Sequence, residues 1–216
     1  MGSITDKVYS QLRREIVISR LKPGERLQIK DWAEHFGVSA TPVRDALQML
    51  ANEGLITARS RTGFYVTQLT LGQLKDMLDL RLILEAAAAR RAASRATQEQ
   101  LQELESVHGA YTGQDPVSLE RYMDENRRFH YLLCLASGNR ELAETVGHLM
   151  DRLGRYMVLF GDDEEMAGNH AEIVEALRQR DGERAAELVA HHLDLTQDFI
   201  LNTVIQNEAQ DWVLTI

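Results

Sequence analysis

The stretch from Asp31 to Ile56, DWAEHFGVSATPVRDALQMLANEGLI, leaves its chain little choice of fold, because two short apolar-periodic segments are separated by one glycine and a few turn residues. Trp32, Ala33 and Phe36 supply the apolar positions of a first helix, and Gly37 suits the left-handed backbone a sharp turn requires. Ser39 or Thr41 can cap a second helix, in whose first turn Pro42 costs nothing because that N–H has no intrahelical partner. Within it Val43, Leu47 and Leu50 recur at helical spacing and face inward, so Ala40, Thr41, Arg44 and Gln48 face outward. This is the layout of a helix-turn-helix, whose outward face is the one a DNA major groove meets.

Asn52, Glu53 and Gly54 end the second helix, and Leu55–Ser60 and Phe64–Leu69 then alternate as two strands closing on Thr62 and Gly63. A helix-turn-helix followed by a hairpin is a winged helix. Upstream, Val8, Leu12, Ile16 and Val17 share one face of a helix over Thr5–Ser19, with Asp6 near its positive end and a Pro-Gly turn over Leu21–Glu25 after it. Residues 1–69 are therefore read as a winged helix-turn-helix domain.

After Leu69 the texture changes. From Thr70 to Asn207 the only proline is Pro116, strand-like alternation is absent, and Ala, Leu, Glu and Arg recur at helical spacing. Residues 70–216 are read as an all-helical domain. Its helices are expected over Leu71–Ser94, Gln98–Tyr111, Val117–Ser137, Arg140–Phe160, Asp163–Arg180 and Glu183–Gln206, with Ala86–Ala93 as a close-packing face. The expected fold class is mainly α.

Charge follows the same division. The chain carries −9 overall, but residues 1–69 hold ten Lys and Arg against seven Asp and Glu, leaving fourteen against twenty-six for residues 70–216. A mildly basic front and an acidic back fit a chain whose front alone meets phosphates. The single cysteine, Cys134, excludes an internal disulfide framework and reads as a small buried hydrophobe. No apolar run reaches the roughly 20 residues of a membrane span and no signal-peptide pattern opens the chain, so the expected location is the cytoplasm.

Three of the seven histidines form a pattern. Asn126 and His130, in DENRRFH, are one helical turn apart on one face. His170 and His192 lie eleven residues before and after Asp181, so an antiparallel hairpin turning there sets them at one height. With His130 on a facing helix, three imidazoles and an amide oxygen converge on one divalent metal, with positions left open for water or an anion. His191 points about 100° from His192 and cannot share the site. His35, His108 and His148 have no such constellation. Arg81 and Glu85 lie on the apolar stripe of Leu74, Met77, Leu78 and Ala88, either as an edge ion pair or with Arg81 aimed inward to hold a carboxylate.

The turn LKPGERL, the run GVSATPVRDALQMLANEGLI, the wing RTGFYV, the stripe LRLILE, and NRRFH followed by His170 and His192 together resemble the GntR family of bacterial transcription regulators. More narrowly, the chain from Thr5 to Gln206 looks like the FadR-type branch with an FCD ligand-binding domain. The resemblance implies a homodimer that binds a palindromic double-stranded DNA operator under control of a small organic acid, with residues 70–216 as the effector-binding and dimerisation domain. It implies DNA contacts at Lys30, Ser39, Thr41 and Arg44, with Thr62 and Gly63 at the wing tip, and Arg44 suited to a guanine. Ala40 departs from the family, which usually has arginine there. The family's metal ligands fall on Asn126, His130, His170 and His192, the first often being aspartate, and Arg81 falls where the effector carboxylate is held.

The reading is a DNA-binding transcriptional regulator, a repressor by family habit, modulated by a small carboxylate at a divalent Zn, Ni or Mn site. Two alternatives stand beside it: a metal-dependent hydrolase-like enzyme, for which no general base is evident, and a winged-helix regulator with structural histidines and no small-molecule effector.

Overall fold

The computed structural model describes residues 3–60, 62–107, 116–157 and 170–206. They form two compact units that divide the chain between Leu71 and Gly72.

The first unit comprises α1 (Ile4–Val17), β1 (Arg26–Leu27), α2 (Ile29–Phe36), α3 (Ala40–Asn52), β2 (Ile56–Arg59) and β3 (Gly63–Val66). A capping box opens α1, with the Ser3 hydroxyl accepting from the Asp6 N–H and the Asp6 carboxylate accepting from the Ser3 N–H. Val8, Leu12 and Ile16 of this helix are buried in one cluster with Val43, Leu47 and Leu50 of α3. The turn between α2 and α3 is made by Gly37 at φ +63°, as its position in the sequence requires. Ser39 stands at the N-cap of α3, yet neither it nor Thr41, which lies inside the helix, supplies a side-chain cap. The reason is Pro42: as the third helical residue it lacks one of the N–H groups an N-cap hydroxyl would serve.

The hairpin is present but shorter than the alternation suggests, with Ile56 opposite Val66 and Arg59 opposite Gly63. A third strand, β1, completes a sheet of order β1-β3-β2 by pairing Arg26 with Tyr65 and Leu27 with Phe64. Two residues are too few to show alternation, so β1 exists only through its pairing.

The second unit comprises α4 (Leu71–Arg95), α5 (Gln98–Ser106), α6 (Pro116–Ala136), α7 (Arg140–Met157), α8 (His170–Arg178) and α9 (Gly182–Gln206). The expected helical stretches 108–111, 158–160 and 163–169 lie outside the described residues, as does His108. Ala89, Ala92 and Ala93 of α4 are buried with Leu101, Leu104, Phe129, Leu133, Ile173, Leu177 and Val189, so the alanine-rich run is a packing face. Gly182 opens α9 where a Cβ would come within 2.8 Å of the Arg90 carbonyl oxygen, and only a glycine permits that approach of α9 to α4. Nearby, Arg180 donates to the carbonyls of Ala93 and Ala96, both at 3.0 Å, satisfying the C-terminal end of α4. Among the described residues no helix is long and apolar enough to cross a membrane.

Candidate functional site

Two candidate surfaces emerge, one in each unit. In the first, burial of Val43, Ala46, Leu47 and Leu50 leaves Ala40, Thr41, Arg44 and Gln48 on the exposed face of α3. Ser39 is exposed beside them, and Lys30 on α2 is exposed with only a 3.8 Å ion pair to Glu34. Thr62 and Gly63 are exposed at the hairpin turn, Gly63 at φ +109°. The turn is braced by the Thr62 N–H donating to the Arg59 carbonyl and the Tyr65 hydroxyl donating to the Thr62 carbonyl.

Sequence reasoning passed over two wing arginines. Arg59 lies with its guanidinium 4.7 Å from the centre of the Tyr65 ring, and Arg26 is paired to Tyr65 across the sheet. Arg26 has no local signal, because only the pairing of β1 brings it to the wing.

In the second unit three histidines come together. His130 on α6, His170 at the first position of α8 and His192 on α9 are all buried, and one ring nitrogen from each lies within 4.8 Å of the others. The hairpin of α8 and α9 levels His170 with His192 as their spacing about Asp181 requires, and His191 is exposed on the other side of α9. Phe129 stacks on His170 with ring centres 3.9 Å apart, which fixes that imidazole edge-on to His130. Asn126 is buried one turn before His130 on the same stripe of α6. His148 is exposed, and His35 packs edge-on against Trp32 and Phe36, so neither joins the site.

The stripe residues of α4 prove to be part of this cluster and not an edge pair. Arg81 and Glu85 are both essentially inaccessible, with the Arg81 Nε donating to Glu85 Oε1 at 2.6 Å. The other carboxylate oxygen meets His130 Nδ1 at 2.5 Å. Burial pushes the Glu85 carboxyl pKa up, but the adjacent Arg81 and then His130 outweigh it and hold it at about 2, so Glu85 is ionised. An ionised carboxylate only accepts, so the proton between them belongs to His130 Nδ1 and the lone pair to Nε2. That Nε2 is buried with no hydrogen-bond partner. Glu85 is thus a functional candidate that helical spacing alone left ambiguous: its stripe was legible, its link to His130 forty-five residues later was not.

Burial opposes protonation of two of the rings. It pushes His130 below the usual histidine range despite the opposing pull of Glu85, and it lowers His192 to about 3, helped by His130 and Arg81. Three buried imidazoles, each able to offer one ring nitrogen to a common point, are the donor set a divalent ion requires, so the residues present fit one. Arg81 keeps Nη1 and Nη2 buried without a hydrogen-bond partner, the fork that would take a carboxylate. Glu172 and Glu175 are exposed, so neither stands as a general base in the cluster, and burial pushes the Cys134 thiol far up, leaving it unreactive.

Residues 4–66 match the model for bacterial regulatory proteins of the gntR family, and residues 76–195 match that of the FCD domain. The chain belongs to the GntR family. This GntR protein is 31% identical over 215 residues to the HTH-type transcriptional repressor RspR of Escherichia coli K12, across 97% of its own length and 93% of the relative. It superposes on the solved structure of E. coli McbR/YncC with a TM-score of 0.79 at 27% identity, covering 94% of this chain and 99% of that one. A putative GntR regulator of Rhodococcus sp. RHA1, at 20% identity and TM-score 0.77 over 93% and 99% of the two chains, shares the fold. The GntR chain is therefore a DNA-binding transcriptional regulator with an FCD domain and not an enzyme.

Proposed function

We propose that this regulator is a cytoplasmic repressor that binds a palindromic operator as a homodimer and changes its grip when a small carboxylate enters the FCD domain. Lys30, Ser39, Thr41 and Arg44 read and clamp the major groove, with Arg44 in bidentate contact with a guanine, and Thr62 and Gly63 bring the wing to the minor groove. Asn126, His130, His170 and His192 hold a divalent ion, Zn, Ni or Mn. When bound, that ion supplies positive charge and open coordination positions for an oxygen ligand. Arg81 takes the carboxylate through the two terminal nitrogens that Glu85 leaves free.

The observation that carries this reading is the pair of unmet demands at the two ends of one hydrogen-bonded chain: the Arg81 terminal nitrogens and His130 Nε2, all buried without partners and joined through Glu85. Leaving such groups unsatisfied is costly, which supports a site that is completed by ligands. Effector binding then shifts the balance between dimer states that match and mismatch the half-site spacing.

The test is fluorescence anisotropy on an operator selected from random duplexes, using chelator-stripped protein with each metal and a panel of carboxylic acids. A metal-dependent change in operator affinity with at least one acid is expected. Affinity indifferent to every metal and acid combination overturns the sensor and makes the histidines structural.

A further inference from the structure

The outer face of the wing sheet holds two arginines that the DNA contacts proposed above leave unused. Leu27, Ile56 and Val66 are buried in the core of the first unit, and side chains alternate along a strand, so their neighbours Arg26, Thr57 and Tyr65 stand on the opposite face. The register carries that face to the tip, since Tyr65 pairs with Arg26 on one side and Thr57 on the other, and Arg59 pairs with Gly63. Each edge strand thus contributes one arginine, and the central strand β3 contributes Tyr65 and Gly63.

Both arginines lean inward over β3, along crossing diagonals. Arg59 starts opposite Gly63 and lays its guanidinium 4.7 Å from the centre of the Tyr65 ring. Arg26 starts opposite Tyr65 and reaches back to Gly63, where a Cβ would lie 3.8 Å from its Nε and 4.0 Å from its Nη2. Two residues of strand span about 7 Å, so both cations are gathered over one short stretch of β3. Both are exposed, and among the described residues neither is paired with a carboxylate. Like charges brought together in this way repel unless an anion joins them, and two guanidinium forks match the oxygens of a phosphate. A minor groove is about 6 Å wide and walled by backbone on both sides, so a wing whose inner face is turned to the core meets one wall with its outer face.

Resting on the place of the wing tip in the minor groove proposed above, we propose that Arg26 and Arg59 grip one phosphate of the operator backbone between them. The clamp sets the depth and angle of the wing and carries no base information of its own.

The experiment is fluorescence anisotropy with the full-length protein on a selected operator and on an unrelated duplex of equal length, across a salt series. Arg26→Ala combined with Arg59→Ala is expected to weaken both complexes by the same factor and to lower the slope of log affinity against log salt by about one per wing. Arg26→Lys combined with Arg59→Lys keeps the charge and is expected to restore the slope. Neutral methylphosphonate placed at single backbone positions locates the contact: one position flanking the minor groove of each half-site weakens the wild type and leaves the double alanine variant unaffected. A double alanine variant with an unchanged slope, or one as sensitive as the wild type at every position, overturns the clamp. Loss of operator preference without a change of slope also overturns it, by making the arginines readers of bases or groove shape. A wild type insensitive at every position flanking the minor groove removes the clamp together with the wing's place in that groove.

Discussion

Glu85 shows how much one side chain can decide. Its two oxygens receive Arg81 and His130 at 2.6 and 2.5 Å, and because Glu85 is ionised and can only accept, the proton of that contact sits on His130 Nδ1. Carboxylate partners of ligating histidines tune metal affinity by about 10–100-fold, so under the proposed metal site Glu85→Gln is expected to weaken zinc binding by that factor. Competition with a chromogenic chelator measures it; a variant that loses thermal stability in the stripped state yet binds zinc as tightly as before would assign Glu85 a purely structural role. The same residues set a pH dependence for the metal-free protein. His192 is held near 3, below the ordinary value of about 6.5 it regains on unfolding, so the unfolded chain binds more protons between those limits and stability falls as pH drops from about 6.5 to 3. Glu85, held at about 2, adds a second loss as pH falls from about 4.5. Urea denaturation should lose up to about 1.4 kcal/mol per pH unit through His192 in the upper window, a slope that His192→Gln removes. A profile flat from pH 6.5 to 5 would contradict a buried neutral His192.

At the scale of elements, two glycines do different work. Gly37 supplies a left-handed turn with nothing within 4 Å of a built Cβ, so its substitution is penalised by backbone conformation and not by a clash. Gly37→Ala is expected to cost about 1 kcal/mol and Gly37→Asn less, since asparagine tolerates the left-handed region. Gly182 is the converse: its Cβ would strike the Arg90 carbonyl oxygen at 2.8 Å, and a backbone atom cannot swing aside. Gly182→Ala is expected to destabilise the helical unit by about 1–3 kcal/mol and to disturb the helix carrying His192. Chemical denaturation of both variants checks the pair; a neutral Gly182→Ala would mean that α9 can shift away from α4 without loss. The N-terminus of α3 illustrates a third kind of constraint, in which Pro42 both favours the helix start and removes a donor that Ser39 would have capped.

At the scale of the whole molecule, DNA reading and the proposed ligand sensing rest on different units of the chain, which makes their lesions separable. Arg44→Ala is expected to weaken operator binding by about 1–3 kcal/mol and relax specificity at one base, and Lys30→Ala to reduce the salt dependence by about one ion. Both should leave the zinc-dependent melting shift unchanged; loss of that shift would mean the substitution damaged more than the DNA face. Local patterns were enough to read the helix-turn-helix, because an amphipathic helix, a left-handed turn and a recognition face are all encoded within a few residues of one another. The levelling of His170 and His192 was legible for a similar reason, since equal spacing about a tight turn is a one-dimensional property. The sequence by itself therefore determined the winged helix, the helical texture of the second unit and the stripes on which Arg81, Asn126 and the histidines lie. Only the tertiary structure decided that Arg26 joins the wing, that Gly182 touches α4, and that Glu85 turns from an i,i+4 partner of Arg81 into the clamp on His130. Those outcomes depend on which segments distant in the chain are packed together, and burial, the force that shifts their charges and orphans their polar atoms, does not exist until they are.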